Sequence, residues 1–302
     1  MMQLKIDHVV VAGSALTPMK EAFASVGLKT EFGGIHSNEI THMAYLPFDD
    51  GSYLELLSTR QPRALSPLWH RHILNDAGLC AWAIEVPNVA DEVQRVAELG
   101  VPVDGPFHMS RKWPDGAMAE WDMATIGEGE PGTLLPFLIK DRTPRELRIP
   151  PYRPGGAERG ARPRADRLMG IHTVVLGVRH LEKAIALYRR VYGFAEPEIV
   201  DNPLFGARLA RFADTPVVLA TPMRGRPDPR AARYEDEEDQ DWLETRLHRF
   251  GDGPAACLLR IYDLEMVIER FEMNQDPEPW FDQQIAWFDD LKVGGVRLGV
   301  IG

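Results

Sequence analysis

The stretch Ile6-Asp7-His8-Val9-Val10-Val11 opens the first regular element of the chain. Its β-branched, mostly apolar composition predicts a buried β-strand. A helix is predicted over residues 18–26, followed by extended segments near residues 29–33 and 41–47. Asp49-Asp50-Gly51 then predicts a tight turn into a strand over residues 52–58. The first part of the chain is therefore expected to form a β-α-β-β-β unit.

This unit recurs three more times, and such repeats indicate an architecture built from similar modules. Each copy opens with a strand that leads into an amphipathic helix and closes with another strand. The opening strands are predicted at residues 80–86, 171–178 and 255–261. The helices are predicted at residues 89–99, 181–192 and 264–273, and the closing strands at 134–140, 216–220 and 296–301.

The domain organisation follows from length and composition. A chain of 302 residues is long enough for about two domains. Residues 142–167 are rich in Arg, Pro and Gly and have no periodic apolar face, which is typical of a linker. We therefore expect domains at residues 1–145 and 168–302, joined by a linker at 146–167. The acidic run at 235–239 predicts a solvated surface segment.

Charge and composition exclude several classes of function. The net charge of −11 argues against a general affinity for nucleic acid or anionic membranes. The sequence has no phosphate-binding Gly-Lys loop, no dinucleotide Gly fingerprint and no nucleophile elbow, so no nucleotide cofactor is expected.

Cysteine usage and apolar runs bear on location. Cys80 and Cys257 are the two cysteines, too few for a disulfide framework, and both lie in apolar strands where an inert core role is expected. The longest apolar runs are far shorter than the ~20 residues of a membrane-spanning helix. The N-terminus lacks the pattern of a secretory signal. These features predict a cytoplasmic protein.

The opening strand and two closing segments resemble one known family. The closing segments are Gly51-Ser52-Tyr53-Leu54-Glu55-Leu56-Leu57 and Leu134-Leu135-Pro136-Phe137-Leu138-Ile139-Lys140-Asp141. Gly33-Gly34-Ile35-His36 with Thr41-His42 is similar to the family's intervening segment, and Gly170-Ile171-His172-Thr173-Val174-Val175 repeats the opening strand. Together they look like glyoxalase-like domains of the vicinal oxygen chelate superfamily.

The resemblance implies an α+β fold of four βαβββ units, forming two tandem glyoxalase-like domains with open cupped β-sheets. Metal-dependent members of the superfamily bind a divalent ion in the cup, with ligands from the first and last strands of each unit. The known activities include glyoxalase, epimerase, extradiol dioxygenase and thiol transfer. Other members only bind and sequester small molecules.

His8 and Glu55 occupy the family's ligand positions in the first unit. An imidazole and a carboxylate suit Zn, Mn, Fe or Ni. The second unit aligns Ala81 and Pro136 with these two positions, and neither side chain can bind a metal. Other candidate donors near the cup are His42, His108 and Glu120.

Three interpretations of the His8–Glu55 pair remain open at this point: a metal site, a metal-free acid–base or binding pair, and a structural remnant. In the leading hypothesis the N-terminal cup is the active site of a lyase, isomerase or dioxygenase-type enzyme acting on a small polar molecule. Glu55 would then bind the metal or act as a base, and His8 would bind the metal or orient the substrate. The alternatives are a metal-free binding protein and a scaffold or dimerisation protein, and a homodimer is a possible assembly.

The segment around residues 107–113 carries candidates for substrate binding. His108, Arg111 and Trp113 lie where the second unit curls over the cup, and Trp121 follows on the next strand. Arg111 or Lys112 is a candidate ligand for a substrate carboxylate, although an exposed hairpin is the favoured interpretation of this segment. His42 completes the set of candidate substrate-binding residues. Residues 68–72, between the modules, are expected to form a surface segment.

The C-terminal domain is expected to be structural and free of metal. His172 aligns with His8 in the sequence, but Leu219 stands where the carboxylate is required. Ala256 stands where the fourth unit would supply a histidine. A lone imidazole binds a metal ion weakly, so no metal centre is predicted here.

Overall fold

The computed structural model describes residues 4–113, 116–150, 167–223, 241–273 and 276–302. The first domain contains the following elements: β1 (Lys5–Ala12), α1 (Leu16–Ser25), β2 (Glu31–Ile35), β3 (Thr41–Pro47), β4 (Tyr53–Thr59), α2 (His70–Leu74), β5 (Gly78–Glu85), α3 (Val89–Glu98), β6 (Val103–Lys112), β7 (Met118–Ile126), β8 (Phe137–Asp141) and α4 (Arg145–Arg148).

The second domain contains the following elements: β9 (Gly170–Gly177), α5 (Leu181–Tyr192), β10 (Glu198–Asn202), β11 (Ala207–Arg211), β12 (Val217–Pro222), α6 (Trp242–Phe250), β13 (Gly253–Arg260), α7 (Leu264–Arg270), β14 (Glu278–Trp280), β15 (Gln283–Trp287) and β16 (Leu298–Ile301). Residues 235–239, predicted as a solvated segment, lie outside the described residues.

Each domain is built on one curled eight-stranded sheet. The strand order is β2-β3-β4-β1-β5-β8-β7-β6 in the first sheet and β10-β11-β12-β9-β13-β16-β15-β14 in the second. In each sheet the opening strands of two units pair antiparallel at the centre, and each opening strand pairs in parallel with the closing strand of its own unit. The prediction of four βαβββ units in two tandem domains is confirmed.

The two faces of β1 pack against different partners. Val9 and Val11 belong to the large apolar core that also holds Phe23 of α1 and Val96 of α3. Val10 belongs to a second cluster on the opposite face. This second face is the inner, cavity-bearing side of the first sheet.

A bulge in β1 corrects one part of the predicted alternation. Simple period-two alternation places Ile6 on the same face as His8. The pairing with β5 instead shifts register between Ile6 and His8, so Asp7 is an extra residue and Ile6 packs with Val9 in the outer core. β9 has the same irregularity, and there the extra residue is His172.

The start of the predicted linker packs on the first domain. Arg148, the last residue of helix α4, and the following Ile149 are both buried. The indole nitrogen of Trp113 donates a hydrogen bond to the carbonyl of Leu147. Residues 151–166, the rest of this segment, lie outside the described residues.

Residues 68–72 differ from the expected surface segment. Trp69, His72 and the adjoining Ile73 are buried. Trp69 donates from its indole nitrogen to the carbonyl of Pro131 at 2.8 Å. These side chains are buried because the segment packs on the inner face of the first sheet, where Trp69 and Ile73 join the inner apolar cluster.

Cys80 and Cys257 are both buried free cysteines, and burial raises the pKa of each thiol. This agrees with the inert core role predicted for them. Across the parts of the chain that the structure describes, no helix has the length and apolar character needed to cross a bilayer.

Candidate functional site

The inner face of the first sheet carries a cavity of about 280 Å³. Its apolar wall comes from five strands and from the segment before α2, and it includes Met43, Leu57, Trp69, Met109, Trp121, Phe137 and Ile139. Its charged and imidazole side chains are His8, His36, Glu55, Arg111 and Arg148. A few polar groups in a mainly apolar cavity are the usual composition of a ligand site.

His8 and Glu55 are brought to this cavity by neighbouring parallel strands. β1 pairs with β4 so that His8 lies opposite Tyr53, and Val10 lies opposite Glu55. Both side chains are largely buried, and Nε2 of His8 lies 3.6 Å from Oε2 of Glu55. Tyr53 stacks on the His8 ring with a centroid distance of 4.6 Å.

His36 is a third member of the site that the sequence analysis did not select. It follows β2, and its Nε2 lies 3.5 Å from Oε1 of Glu55. Its Nδ1 lies 2.8 Å from the hydroxyl of Thr41. Burial lowers the pKa of His36, with the positive charge of Arg111 acting in the same direction and Glu55 opposing it. His36 is therefore neutral near pH 7.

Each oxygen of Glu55 thus faces one imidazole nitrogen. The signal for His36 was present in the quoted Gly33-Gly34-Ile35-His36 segment, but it lies in a turn and not on a strand. The alternation of side chains along a strand therefore could not predict whether His36 points toward the inner or the outer face of the sheet. The turn itself is fixed by Asn38, whose side-chain oxygen accepts hydrogen bonds from the backbone N–H groups of Ile40 and Thr41.

Asp7 accepts a hydrogen bond from the ring nitrogen of His8 that points away from Glu55. Its Oδ1 lies 2.6 Å from Nδ1 of His8, and its side chain is fully buried. Burial acts to raise the pKa of Asp7, but Arg148, His8 and Arg145 together hold it well below its usual value. An ionised carboxylate only accepts hydrogen bonds, so Nδ1 of His8 carries the proton and Nε2 faces Glu55.

Arg148 lies on α4 and connects Asp7 on β1 with Asp141 at the end of β8. Its guanidinium contacts Asp7 at 2.7 Å and Asp141 at 2.5 Å, and it donates to the hydroxyl of Tyr53 at 2.9 Å. Arg145 donates to the second oxygen of Asp7 at 2.5 Å. These four charged side chains, two acidic and two basic, balance one another.

Arg111 and Trp121, both predicted from the sequence, line the cavity. Arg111 is only 4% exposed. It donates to Sδ of Met43 at 3.2 Å and to the backbone carbonyl of Arg148, and it lies over the ring of Trp113 at 4.9 Å. Lys112, the neighbouring cation, is exposed.

His42, His108 and Trp113 do not belong to the cavity wall. His42 lies on β3 beside Met43, which faces the cavity, so alternation turns His42 outward to the hydroxyl of Ser58 at 2.8 Å. His108 is likewise turned outward on β6, where its Nε2 lies 3.4 Å from the half-exposed Glu120. Trp113 packs against the guanidinium of Arg111.

The second unit offers no matching donors. Ala81 occupies the position related to His8, as the alignment predicts, and its side chain lies in the inner cluster. Phe137, and not Pro136, lines the cavity at the position related to Glu55, because β8 pairs with β5 one residue later than the alignment assumed. Neither side chain can bind a metal.

The register in the second domain also differs from the sequence alignment. Val175 pairs with Val218 as Val10 pairs with Glu55, so Val218 and not Leu219 takes the place of Glu55. Thr173 then takes the place of His8, and His172 takes the place of Asp7, because both are the extra residue of a bulge.

Aromatic side chains cover part of the inner face of the second sheet. Phe205, Trp280 and Trp287 pack together there, and Leu243 and Leu247 of α6 join them. His172 lines a groove beside the first domain, together with Thr173 and Val218. The absence of a metal centre in this domain stays a prediction.

The fit of the first site to a metal ion is partial. Across the described ranges, no group of three or more His, Cys, Asp or Glu side chains is arranged to hold a metal ion. The first unit places three side chains with donor atoms at the cavity: His8, His36 and Glu55. The second unit has Ala81 and Phe137 at the related positions, and neither has a donor atom in its side chain. The nearby charge of Arg111 also disfavours a cation.

A family model described as a glyoxalase-like domain matches residues 6–161, just over half of the chain. The chain belongs to this glyoxalase-like family. The matched segment contains both βαβββ units of the first domain and every residue of the cavity described above. No curated protein sequence matches the chain.

Solved structures support the tandem fold. The chain is similar to a hypothetical protein from Staphylococcus aureus, with 12% identity, 98% of each chain covered and a TM-score of 0.57. It is also similar to the Mn(II)-bound glyoxalase from Novosphingobium aromaticivorans, with 11% identity, 100% of this chain and 83% of the other covered, and a TM-score of 0.56.

A third similar structure is a mutant of 4-hydroxymandelate synthase from Streptomyces coelicolor. Its identity is 10%, the coverage is 100% of this chain and 93% of the other, and the TM-score is 0.58. At these identities the likeness shows the fold alone.

Proposed function

We propose that this protein is an enzyme of the lyase or isomerase type, with Glu55 as the base. It would remove a proton from a carbon atom next to a carbonyl group of a small molecule bound in the first domain. The observation that carries the proposal is the placement of the Glu55 carboxylate. It lines the cavity, it is only 7% exposed, and each of its oxygens faces one imidazole.

The two histidines lie beside Glu55 without forming hydrogen bonds to it. Their nitrogens lie 3.5–3.6 Å from its oxygens, which is longer than a good hydrogen bond and leaves the lone pairs of the carboxylate available. Catalytic contacts are often loose in a ligand-free site and tighten around the substrate. Asp7 and Thr41 fix the orientation of the two rings.

Arg111 supplies positive charge to the reacting end of the molecule, where its several N–H donors would reach both a carboxylate and the carbonyl oxygen next to it. Removing a proton next to a carbonyl places negative charge on the carbonyl oxygen. A buried cation that is already in place stabilises this charge without reorganising solvent. The guanidinium of Arg111 lines the same cavity as Glu55 and is mostly shielded from water.

A divalent ion is the second candidate, favoured by the same distances. Ligand atoms about 2.0–2.2 Å from one tetrahedral ion stand roughly 3.4 Å apart, close to the 3.5–3.6 Å spacings here. His8 and Glu55 would hold the ion, and substrate or solvent would supply the remaining ligands, because no group of three such side chains among the described residues is arranged for a metal ion. Zn, Mn, Fe or Ni bound there would polarise a substrate carbonyl, and Fe or Mn would open dioxygenase-type chemistry. Elemental analysis of protein purified without chelator tests this candidate.

A metal-free binding protein is the remaining alternative, since aromatic and aliphatic side chains dominate the wall. Deuterium exchange separates it from the enzyme. Benzylpyruvate, whose CH₂ group next to the ketone is a carbon acid, is incubated with protein in D₂O and followed by proton NMR. The proposal expects exchange with wild-type protein and its loss in Glu55→Gln.

Glu98→Gln is the matched control, because Glu98 is an exposed residue at the end of α3. It should exchange the probe at the wild-type rate. Exchange that is absent from all three proteins, although benzylpyruvate binds, would favour the binding protein. Exchange that persists in Glu55→Gln would remove Glu55 from the role of base.

A further inference from the structure

We infer that the ligand of this cavity is a small carboxylate with an apolar body, and that Arg111 binds its carboxylate group. This inference deepens the proposed function, because it names the chemical class of the molecule that Glu55 would act on. It rests on the state of Arg111 and on the size and lining of the cavity.

Arg111 is a buried cation without an anionic partner among the described residues. A guanidinium has five N–H donors, and only two donor–acceptor contacts are found for Arg111. One acceptor is the weak thioether sulfur of Met43 and the other is a neutral carbonyl. Its Nε is buried and has no hydrogen-bond partner. Burial lowers the pKa of Arg111, which reflects this incomplete compensation.

The other buried arginine of the cavity shows what full compensation involves. Arg148, 2% exposed, contacts both Asp7 and Asp141. Those two carboxylates are also shared with Arg145. They are therefore not free to balance Arg111. Glu55 acts on Arg111 at longer range, but the two make no ion pair within 4.0 Å in the described structure.

An incoming carboxylate would balance the charge of Arg111 through the remaining terminal N–H donors of its guanidinium. Carboxylates match the fork of N–H donors on a guanidinium, and such charge-assisted hydrogen bonds are roughly twice as strong as neutral ones. A neutral carbonyl or amide would leave the buried charge uncompensated. Charge at Arg111 therefore selects an anionic ligand over a neutral ligand of the same shape.

The cavity sets the size and nature of the rest of the ligand. An apolar cavity of ~150 Å³ is enough for benzene. The 280 Å³ here holds one ring with a short chain. Trp69, Trp121 and Phe137 supply flat apolar surface for such a body.

The test compares phenylbutyrate with phenylbutyramide, two unreactive compounds that differ in charge and hardly at all in shape. Their dissociation constants are measured by isothermal titration calorimetry on the full chain. We expect wild-type protein to bind the carboxylate about 10- to 100-fold more tightly than the amide. The size inference is overturned if phenylbutyrate does not bind.

Variants assign the effect to Arg111. Arg111→Gln should lose this preference and weaken phenylbutyrate binding about 10- to 100-fold, while Arg111→Lys, which keeps the charge, should retain part of it. Arg142→Gln is the control, because Arg142 is an exposed arginine paired with Asp122. Near-UV circular dichroism verifies that each variant is folded. An unchanged preference in folded Arg111→Gln would overturn the inference.

Glu55→Gln separates this inference from the proposed function. It removes a negative charge from the cavity, so phenylbutyrate should bind at least as tightly as it binds to wild-type protein. If the carboxylate preference depends on Arg111 but Glu55→Gln still exchanges benzylpyruvate, the ligand class stands and the base is wrong. If exchange needs Glu55 but the amide binds as well as the carboxylate, the ligand class is wrong and the base stands.

Discussion

Replacing Asp7 by Asn should destabilise the first domain severely. Asp7 is fully buried and accepts four hydrogen bonds, one from His8, one from Arg145 and two from Arg148. Breaking a buried ion pair by removing one partner costs about 3–5 kcal/mol, because the remaining charge stays buried. Arg148 keeps Asp141 as a second partner, so we expect the lower end, about 3 kcal/mol.

Thermal unfolding followed by circular dichroism measures this effect. A loss of about 3 kcal/mol corresponds to a midpoint lower by roughly 6–12 °C for a domain of this size. Asp104→Asn is the control, since Asp104 is an exposed residue of β6. A midpoint shift below about 2 °C in Asp7→Asn would refute the view that this carboxylate balances the two arginines.

The same contacts predict that the free energy of unfolding of wild-type protein falls at acid pH. The pKa of Asp7 is held well below its ordinary value in the folded state, so the unfolded state takes up the proton first. The stabilisation is therefore present above the unfolded pKa of about 3.9 and is lost as the pH falls through the folded pKa. This acid-dependent contribution should be missing from Asp7→Asn.

Three further predictions concern other parts of the molecule. Cys80 and Cys257 should not react with a thiol reagent at pH 8 in the native protein, because both are buried with raised pKa values; both should react in denaturant, and rapid native labelling would contradict their core placement. Arg246→Met should lower the unfolding midpoint, because Arg246 donates to the carbonyls of Ala77 and Leu79 in the first domain and Pro254 in the second; unchanged unfolding would show that these bonds do not stabilise the domain contact. Trp69→Ala should weaken phenylbutyrate binding by removing part of the cavity wall, and equal affinity in calorimetry would place the ligand elsewhere.

The repeat pattern predicted four βαβββ units, and the family resemblance implied that they pair into two cupped sheets. Alternation from His8 to Val10 and from Tyr53 to Leu57 placed His8 and Glu55 on one face. The register of the bulges was not predictable from alternation, since one extra residue reverses every face assignment beyond it. His172 was aligned with His8 because both are histidines, whereas the ungapped match of Ile6 with Ile171 puts His172 at the position of Asp7.

The parts of the site that the sequence did not reveal come from turns and from distant segments. His36 lies in a turn, where no period assigns a face. Trp69 precedes a short helix between two units. Arg148 follows the last strand of the domain and reaches Asp7 only through the fold. Such contacts depend on how separate segments meet in space, and spacing along the chain carries no signal for them.

The most direct test of the central claim is the rate constant for deuterium exchange into benzylpyruvate, measured with wild-type protein and with Glu55→Gln after both have been treated with chelator. General base catalysis contributes about 10²–10⁴-fold to a rate. The account predicts that Glu55→Gln exchanges at least about 100-fold more slowly while its unfolding midpoint stays close to that of wild-type protein. Equal rates in two folded proteins would contradict the assignment of Glu55 as the base.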